Sequence, residues 1–269
     1  MPTVTVNGTE LFYLRRGAGE PLLLIQGMSG NHLHWGESFE ARLQDAFELV
    51  PFDHRGIGFS GPLAGAFSIA DLADDAAGVL DALDLPSAHV MGVSMGGMVA
   101  QELALRHPGR VRTLTLGCTT PGGPGSVPTD PAVVTAMAAA AKSGDREQAM
   151  EVAWTYNVSA SFAANAEAKA AIRATLTEAP ASLPVLLAQL QAIAGHDTLD
   201  RLHEITAPTL VVHGTADQML PVGNATLIAE RIAGSRLEIL DGIGHVFWWE
   251  RPELAADFVR DLAGVRIRG

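Results

Sequence analysis

Short apolar runs alternate with amphipathic helical stretches along most of this 269-residue chain, and no other feature restricts the fold as strongly. The runs are rich in Val, Ile and Leu, as expected of strands that are buried on both faces. Strands of this kind that alternate with helices predict an α/β fold, in which helices cover both faces of a mostly parallel sheet. The runs are "PLLLIQ", "FELVPF", "AHVMGV", "VRTLTLG", "PTLVVHG" and "RLEIL".

The alternation is interrupted once, between Pro121 and residue 196. A turn-rich segment, "PGGPGSVPTDP", leads there into four alanine-rich helical stretches without a strand signal. We therefore predict an α/β core formed by residues 1–120 and 197–269, and a helical cap (lid) formed by residues 121–196 and inserted between core strands. Ligand sites often form where two such parts meet, so the junction is a candidate pocket.

The net charge of the chain limits the kinds of molecule that it is expected to bind. The chain has 18 Lys and Arg against 30 Asp and Glu, a net charge of −12, which nucleic acids and anionic membranes would repel. We therefore expect a small-molecule substrate and no nucleic-acid or membrane partner; the oligomeric state does not follow from the sequence. No signal peptide is evident, and no apolar run approaches the ~18 residues of a membrane span. A cytoplasmic location is expected, and the single cysteine, Cys118, allows no internal disulfide.

The segment "GIGFSG", residues 56–61, matches the glycine pattern of a dinucleotide-binding loop. Such a loop must open directly into a helix whose N-terminus holds the pyrophosphate. Here Pro62 follows, and the predicted helix begins only near Ser68. We therefore interpret the segment as a structural turn.

A second glycine pattern is more informative. Residues 92–96, "GVSMG", are the only G-x-S-x-G in the chain and join a predicted strand directly to a predicted helix. A turn this sharp favours a positive φ at Ser94 and small residues two positions to either side. It would present the Ser94 hydroxyl and place the Met95 amide at a helix N-terminus, where it can donate to an oxyanion. The pattern predicts that Ser94 is a nucleophile.

A serine hydroxyl needs a neighbouring base that takes its proton. Of nine histidines, His245 alone stands in a glycine-rich loop between a late strand and the last helix, "DGIGHVFWWERP", and it is the predicted base. The carboxylate that orients the imidazole is predicted to be Asp217, which closely follows the strand "PTLVVHG". The chain order Ser94, Asp217, His245 is the order found with this kind of strand–turn–helix. The alternative acids are Asp53, Asp197 and Asp241.

A second oxyanion donor is expected in the loop "QGMSGNHLHW", which follows the first strong core strand. The Met28 amide of this loop would pair with the Met95 amide. The side chains around the site are largely apolar, which favours an uncharged substrate with an aliphatic or aromatic acyl part. The predicted substrate-binding residues are Gly27, Trp35, Trp154, Leu186, Met219, Val246 and Phe247.

Taken together, these segments resemble the α/β-hydrolase superfamily, and within it the cap-bearing carboxylesterases and enol-lactonases. "GVSMGG" is similar to the nucleophile elbow, "LVVHGTAD" to the acid loop, "GIGH" to the histidine loop and "DHRGIGFSG" to the D-x-R-G-x-G-x-S loop. The resemblance covers residues ~3–120 and ~197–262. It departs at Gln26-Gly27, where the family often has His-Gly. The resemblance implies a serine hydrolase that needs no metal and no cofactor.

The sequence thus predicts a hydrolase that cleaves an ester or a lactone of a small, largely apolar substrate through an acyl-enzyme on Ser94. Acyl-chain lactones are among the candidates. Two alternatives use the same triad: a cofactor-free perhydrolase or haloperoxidase, and a C–C bond hydrolase. A third is a non-enzymatic ligand receptor on a hydrolase fold, which would leave its ligand unhydrolysed.

Overall fold

The central sheet accounts for most of the strands in residues 1–265, the part of the chain that the computed structural model describes. Seven strands form it, in the order β3-β5-β4-β6-β7-β8-β9, and β1 and β2 form a separate hairpin. The strands are β1 (Thr3–Val6), β2 (Thr9–Phe12), β3 (Arg16–Gly17), β4 (Glu20–Ile25), β5 (Phe47–Pro51), β6 (Ala88–Val93), β7 (Val111–Gly117), β8 (Thr209–Gly214) and β9 (Arg236–Leu240).

Pairing within the sheet is parallel from β5 through β9. Only the edge strand β3 pairs antiparallel, with β5. Because parallel neighbours all point the same way, the C-terminal ends of β4, β6, β7 and β8 lie at one edge of the sheet. The loops predicted to carry the oxyanion donor, the nucleophile and the acid all start at that edge. The predicted α/β fold with a mostly parallel sheet is confirmed.

The helices cover both faces of this sheet. Leu23 and Ile25 of β4 pack in an apolar cluster with α2, α3 and α8, whereas Leu22 and Leu24 pack in a second cluster with α1, α9 and α10. Successive side chains of a strand point to opposite faces, so the two clusters lie on either side of the sheet. The helices are α1 (Glu37–Glu40), α2 (Ile69–Ala82), α3 (Met95–Arg106), α4 (Pro131–Lys142), α5 (Arg146–Asn157), α6 (Ala166–Glu178), α7 (Leu183–Ala194), α8 (Gly223–Arg231), α9 (Phe247–Glu250) and α10 (Pro252–Ala263).

Four of these helices, α4 to α7, lie between β7 and β8, where the alanine-rich stretches predict them. The side chains of Asp130, Asp145 and Asn165 cap α4, α5 and α6 by accepting backbone N–H groups of the first turn, which fixes where each helix begins. We call residues 121–196 the helical insertion; their role as a cap domain stays a prediction. No helix in the described part of the chain is long and apolar enough to cross a membrane.

Candidate active site

The predicted nucleophile lies at the turn between β6 and α3. Ser94 has a φ of 56° and a ψ of −123°, the positive φ that the G-x-S-x-G pattern predicts. A Cβ atom on Gly92 would overlap the Gly96 carbonyl, and a Cβ atom on Gly96 would overlap the Ile25 carbonyl. Only glycine fits at these two positions, so the pattern reflects the close packing that holds this turn in place.

The loop after β4 lies directly against this serine. A Cβ atom added to Gly27 would sit 2.9 Å from the Ser94 Cβ. The Gly27 and Ser29 amides are bonded to side-chain oxygens, but the Met28 amide between them donates to no acceptor in residues 1–265. The Met95 amide is likewise free within those residues. Two free amides on either side of the serine form the arrangement that an oxyanion hole requires.

A buried carboxylate–imidazole pair lies at the ends of β8 and β9. The Nδ1 atom of His245 lies 2.7 Å from Oδ2 of Asp217. The other oxygen of Asp217 accepts the amides of Met219 (2.8 Å) and Leu220 (2.9 Å). The Nε2 atom of His213 lies 3.0 Å from Asp217 Oδ2 and 2.9 Å from the Leu220 carbonyl. Both carboxylate oxygens of Asp217 therefore have hydrogen-bond partners, although the residue is buried.

These contacts set the protonation of the pair. Burial alone would raise the pKa of Asp217, but the positive charge that His245 carries when protonated, and hydrogen bonds from His213 and His245, lower it overall. Burial alone would lower the pKa of His245, but the Asp217 carboxylate raises it well above its ordinary value of 6.5. Asp217 thus stays ionised and favours the charged form of the imidazole, as the orienting acid of a triad does.

Cys118 connects this pair to the nucleophile turn. Its side chain is completely buried and lies close to both the His245 imidazole and the Ser94 backbone amide. The Ser94 amide also donates to the carbonyl of Gly117, at the end of β7 (3.0 Å). His245 and the Ser94 turn therefore lie near the same buried thiol. Burial raises the pKa of Cys118, so the thiol is neutral and acts as packing between them.

The histidine loop is also attached to the helical insertion. The Glu250 carboxylate accepts the Gly244 amide (3.2 Å), the Ser159 amide (2.8 Å) and the Ser159 hydroxyl (2.6 Å). The Val246 amide donates to the carbonyl of Asn157, the last residue of α5 (3.2 Å). The Glu250 carboxylate thus joins Gly244, the residue before His245, to Ser159 in the segment that follows α5.

The alternative acids lie elsewhere. Asp53 is bonded to the His32 ring (3.0 Å) and to the Phe59 amide (2.9 Å). The "GIGFSG" segment wraps around this carboxylate, which makes it a turn, as predicted. Asp241 accepts the Thr215 hydroxyl at the protein surface. Of the four carboxylates considered, Asp217 is the one that is bonded to His245.

The predicted substrate-binding residues occupy different environments. Trp35 and Phe247 are fully buried in the apolar cluster of α1, α9 and α10. Trp154 packs within the helical insertion, where its Nε1 donates to the Ala163 carbonyl. Gly27 touches Ser94, as described above. Contact between any of these residues and a substrate stays a prediction, as it does for the half-buried Leu186, Met219 and Val246.

Two contacts of the site were not predicted from the sequence. His213 reaches Asp217 because it lies next to the end of β8, four residues earlier in the chain, and that spacing could have indicated it. Gln189 of α7 is completely buried, and its Oε1 accepts the Ser29 amide (2.9 Å), next to the Met28 amide. Nothing local in the sequence marks Gln189, because its role depends on how α7 packs across the loop.

Comparison with known proteins agrees with this architecture. The sequence profile of the alpha/beta hydrolase fold family matches residues 20–252. The chain belongs to this family. Among its α/β-hydrolase relatives is a protein whose name gives it as a carbamate hydrolase, RutD, from Azorhizobium caulinodans, which is 30% identical over 98% of both chains.

Two further relatives have different names. A poly(3-hydroxyalkanoate) depolymerase from Ectopseudomonas oleovorans is 32% identical over 89% of this chain and 82% of its own. The crystal structure of an enol-lactonase from Burkholderia xenovorans LB400 matches with a TM-score of 0.86 and 25% identity, over 98% of this chain and 100% of the other. Membership of the α/β-hydrolase family is therefore clear, whereas the names of the relatives span several substrates.

Proposed function

We propose that this α/β-hydrolase is a serine hydrolase that cleaves a carboxylic ester or a lactone of a small, largely apolar substrate. The observation that carries the proposal is the buried Asp217–His245 contact of 2.7 Å, formed at the sheet edge where Ser94 stands in a turn with a positive φ. The Met28 and Met95 amides beside that turn donate to no acceptor in residues 1–265, which supports an oxyanion site there. Such a set of groups suits acyl transfer.

Each group has a defined step in the proposed reaction. The Ser94 hydroxyl attacks the carbonyl carbon while His245 takes its proton, and the Met28 and Met95 amides donate to the oxyanion. The protonated His245 then gives the proton to the leaving oxygen, which leaves an acyl group on Ser94. Water, activated by His245, releases the acid. Asp217 orients the imidazole throughout, and the chemistry requires no metal or cofactor.

Two observations support an ester or a lactone. The names of two relatives, a polyester depolymerase and an enol-lactonase, refer to these bonds. Val127 and Ile193 of the helical insertion, the proposed cap, line a cavity together with Met98 and Leu220, and apolar walls of this kind suit a neutral substrate. The carbamate hydrolase relative makes a carbamate the substrate class to test against.

The proposal is tested by the rates of one panel of aryl esters, alkyl esters, lactones and carbamates, measured on the wild type and on Ser94→Ala. We expect the variant to lose several orders of magnitude in kcat, because nothing else in the site can form the acyl-enzyme. Ser143→Ala, which removes an exposed hydroxyl at the end of α4, should keep the wild-type rates.

Wild-type turnover by Ser94→Ala would refute the mechanism, and a preference for carbamates would refute the substrate class. The alternative functions predict other results. Halogenation that depends on peroxide and exceeds ester hydrolysis would favour the perhydrolase or haloperoxidase, and cleavage of a carbon–carbon bond would favour the C–C hydrolase. A bound ligand that persists for hours would favour the receptor.

A further inference from the structure

Glu250 ends α9, the short helix that begins two residues after His245. Its Oε1 atom accepts the amides of Ser159 (2.8 Å) and Gly244 (3.2 Å), and its Oε2 atom accepts the Ser159 hydroxyl (2.6 Å). All three donors are uncharged. The carboxylate is therefore a common acceptor for two backbone segments, one in the core and one in the helical insertion.

These two segments are in direct contact at Gly244, the residue before His245. A Cβ atom added to Gly244 would lie 2.6 Å from the Ser159 nitrogen, 2.7 Å from the Val158 carbonyl carbon and 2.8 Å from Glu250 Oε1. Only glycine permits so close an approach. The backbone next to the proposed base thus rests on the insertion itself.

The hydrogen bonds of the histidine loop lie on either side of His245. The amide of His245 itself donates to no acceptor in residues 1–265. The Gly244 amide donates to Glu250, and the Val246 amide donates to the Asn157 carbonyl (3.2 Å). The amides of both neighbours of His245 are therefore held by residues 157–159 of the insertion, one of them directly and the other through Glu250.

The placement of this backbone decides where the reacting nitrogen of the imidazole points. The bond to Asp217 fixes the ring at Nδ1 only, so the position of Nε2 also depends on the backbone from which the side chain starts. Proton transfer needs Nε2 within hydrogen-bond reach of the Ser94 hydroxyl. A displacement of about 1 Å in such a geometry can cost about 100-fold in rate.

We propose that Glu250 is a positioning residue for His245, and that Ser159 of the helical insertion is its partner in this role. The inference rests on the proposed function, in which His245 is the base. Glu250 acts through the Gly244 backbone, so it affects the rate of the chemical step and not the binding of substrate.

The test compares two substitutions of this residue with 4-nitrophenyl acetate as the substrate. Glu250→Ala removes all three hydrogen bonds, and we expect kcat to fall by about 10- to 100-fold with a much smaller change in KM. Glu250→Gln keeps an oxygen that can accept both backbone amides, so its kcat should stay within about 3-fold of the wild type. Glu253→Ala, which removes an exposed carboxylate three residues later, is the matched control and should keep both constants.

A second readout is the rate at which phenylmethanesulfonyl fluoride inactivates the enzyme. In this reaction the Ser94 oxygen bonds to sulfur, fluoride leaves and His245 takes the hydroxyl proton, so the rate reports the alignment of the two residues. We expect Glu250→Ala to slow inactivation by a factor similar to its loss in kcat. A purely structural role would lower the thermal stability and leave the inactivation rate of the folded variant unchanged.

Ser159→Ala tests the same contact from the insertion. It removes one of the three bonds and should lower kcat and the inactivation rate by about 3-fold. Added to Glu250→Ala, it should cause no further loss, because the acceptor of its hydroxyl is already absent. If Glu250→Ala does not fold, unchanged rates in Ser159→Ala overturn the proposal.

Three results with folded Glu250 variants would also overturn it: unchanged rates in Glu250→Ala, a rise in its KM with kcat preserved, or a loss in Glu250→Gln as large as that in Glu250→Ala. A wild type that neither hydrolyses the ester nor reacts with the fluoride fails the proposed function instead, so the two failures are distinguishable.

Discussion

His245 and Asp217 form a buried pair in which each group sets the protonation of the other. The carboxylate, 2.7 Å from the ring, outweighs burial and raises the pKa of His245 well above 6.5. His245 acts as a base only when it is neutral. Activity should therefore rise with pH through the pKa of this residue and be lost below it.

Asp217→Asn removes the negative charge that raises this pKa. We expect the acid limb of kcat/KM to move to lower pH, because burial then acts without the opposing charge. We also expect kcat to fall by about 10⁴-fold, since the imidazole loses its orienting acceptor. The measurement is kcat/KM between about pH 4 and pH 9.

Asp241→Asn serves as the control for this profile, because it changes the exposed carboxylate nearest to His245 in sequence. That variant should keep the acid limb of the wild type. An acid limb at the wild-type position in Asp217→Asn would show that Asp217 does not set the pKa of the base.

At the level of elements, the helical insertion contacts three of the four loops that carry the proposed catalytic groups: the oxyanion, acid and histidine loops. Gln189 of α7 accepts the Ser29 amide of the oxyanion loop, and Ser159 donates to Glu250 beside the histidine loop. The Thr129 hydroxyl donates to the Met219 carbonyl in the acid loop (2.7 Å). These contacts indicate that the insertion helps to position the three loops.

Gln189→Leu tests this positioning. The variant leaves the buried Ser29 amide without an acceptor, and an unpaired amide of this kind has a substantial free-energy cost. Because the next amide in the loop is the Met28 donor, we expect kcat to fall by about 10-fold with a smaller change in KM. Gln191→Leu, at an exposed position of the same helix, should leave both constants unchanged.

A rise in KM with kcat preserved in Gln189→Leu would contradict positioning and would indicate direct substrate binding instead. Thermal unfolding of both glutamine variants checks that each is folded. The two variants make the same chemical change on one helix, so a difference between them reflects the contact with Ser29.

The elements that could be predicted from the sequence are those with a strong local signal. Strands such as β4 and β8 are continuous apolar runs, and α2 begins at Ser68, whose side chain forms a capping box with Asp71. The edge strand β3 has only two residues, too few for any periodicity. Gln189 was missed for a related reason: its contact depends on tertiary packing and not on a pattern in α7.

Across the whole molecule, the site residues that could be predicted are those with a local sequence signal, and the unpredicted ones depend on tertiary packing. Ser94, Asp217 and His245 each follow a strand within a short glycine-containing loop, so sequence alone could indicate them. One cavity lies between residues 122–129 and residues 193–196, which are about 70 residues apart in sequence, and their meeting depends on the folded insertion. His196, which ends the insertion, therefore carried no signal of a pocket residue.

Buried neutral histidines also link the stability of the whole molecule to pH. Burial lowers the pKa of His34 and of His196 from 6.5 to about 4, and it lowers the pKa of the fully buried His54 as well. Between pH 6.5 and pH 4 the unfolded chain binds protons at these sites that the folded chain does not. The contribution of these three histidines to the free energy of unfolding should therefore be highest above this window and fall as the pH falls through it.

His196→Leu removes one of these groups. Each such histidine contributes a slope of up to about 1.4 kcal/mol per pH unit within the window, so the variant should lose stability on acidification less steeply than the wild type. Urea unfolding at several pH values between pH 7 and pH 4.5 measures the slope. The pKa of Asp217 is lowered from 3.8, so the stabilisation that its carboxylate contributes is lost only below this pH window. Ile193→Ala is the control, because Ile193 lines the same cavity as His196 and carries no titratable group; it should keep the wild-type slope. Equal slopes in His196→Leu and the wild type would mean that His196 is not held neutral by burial.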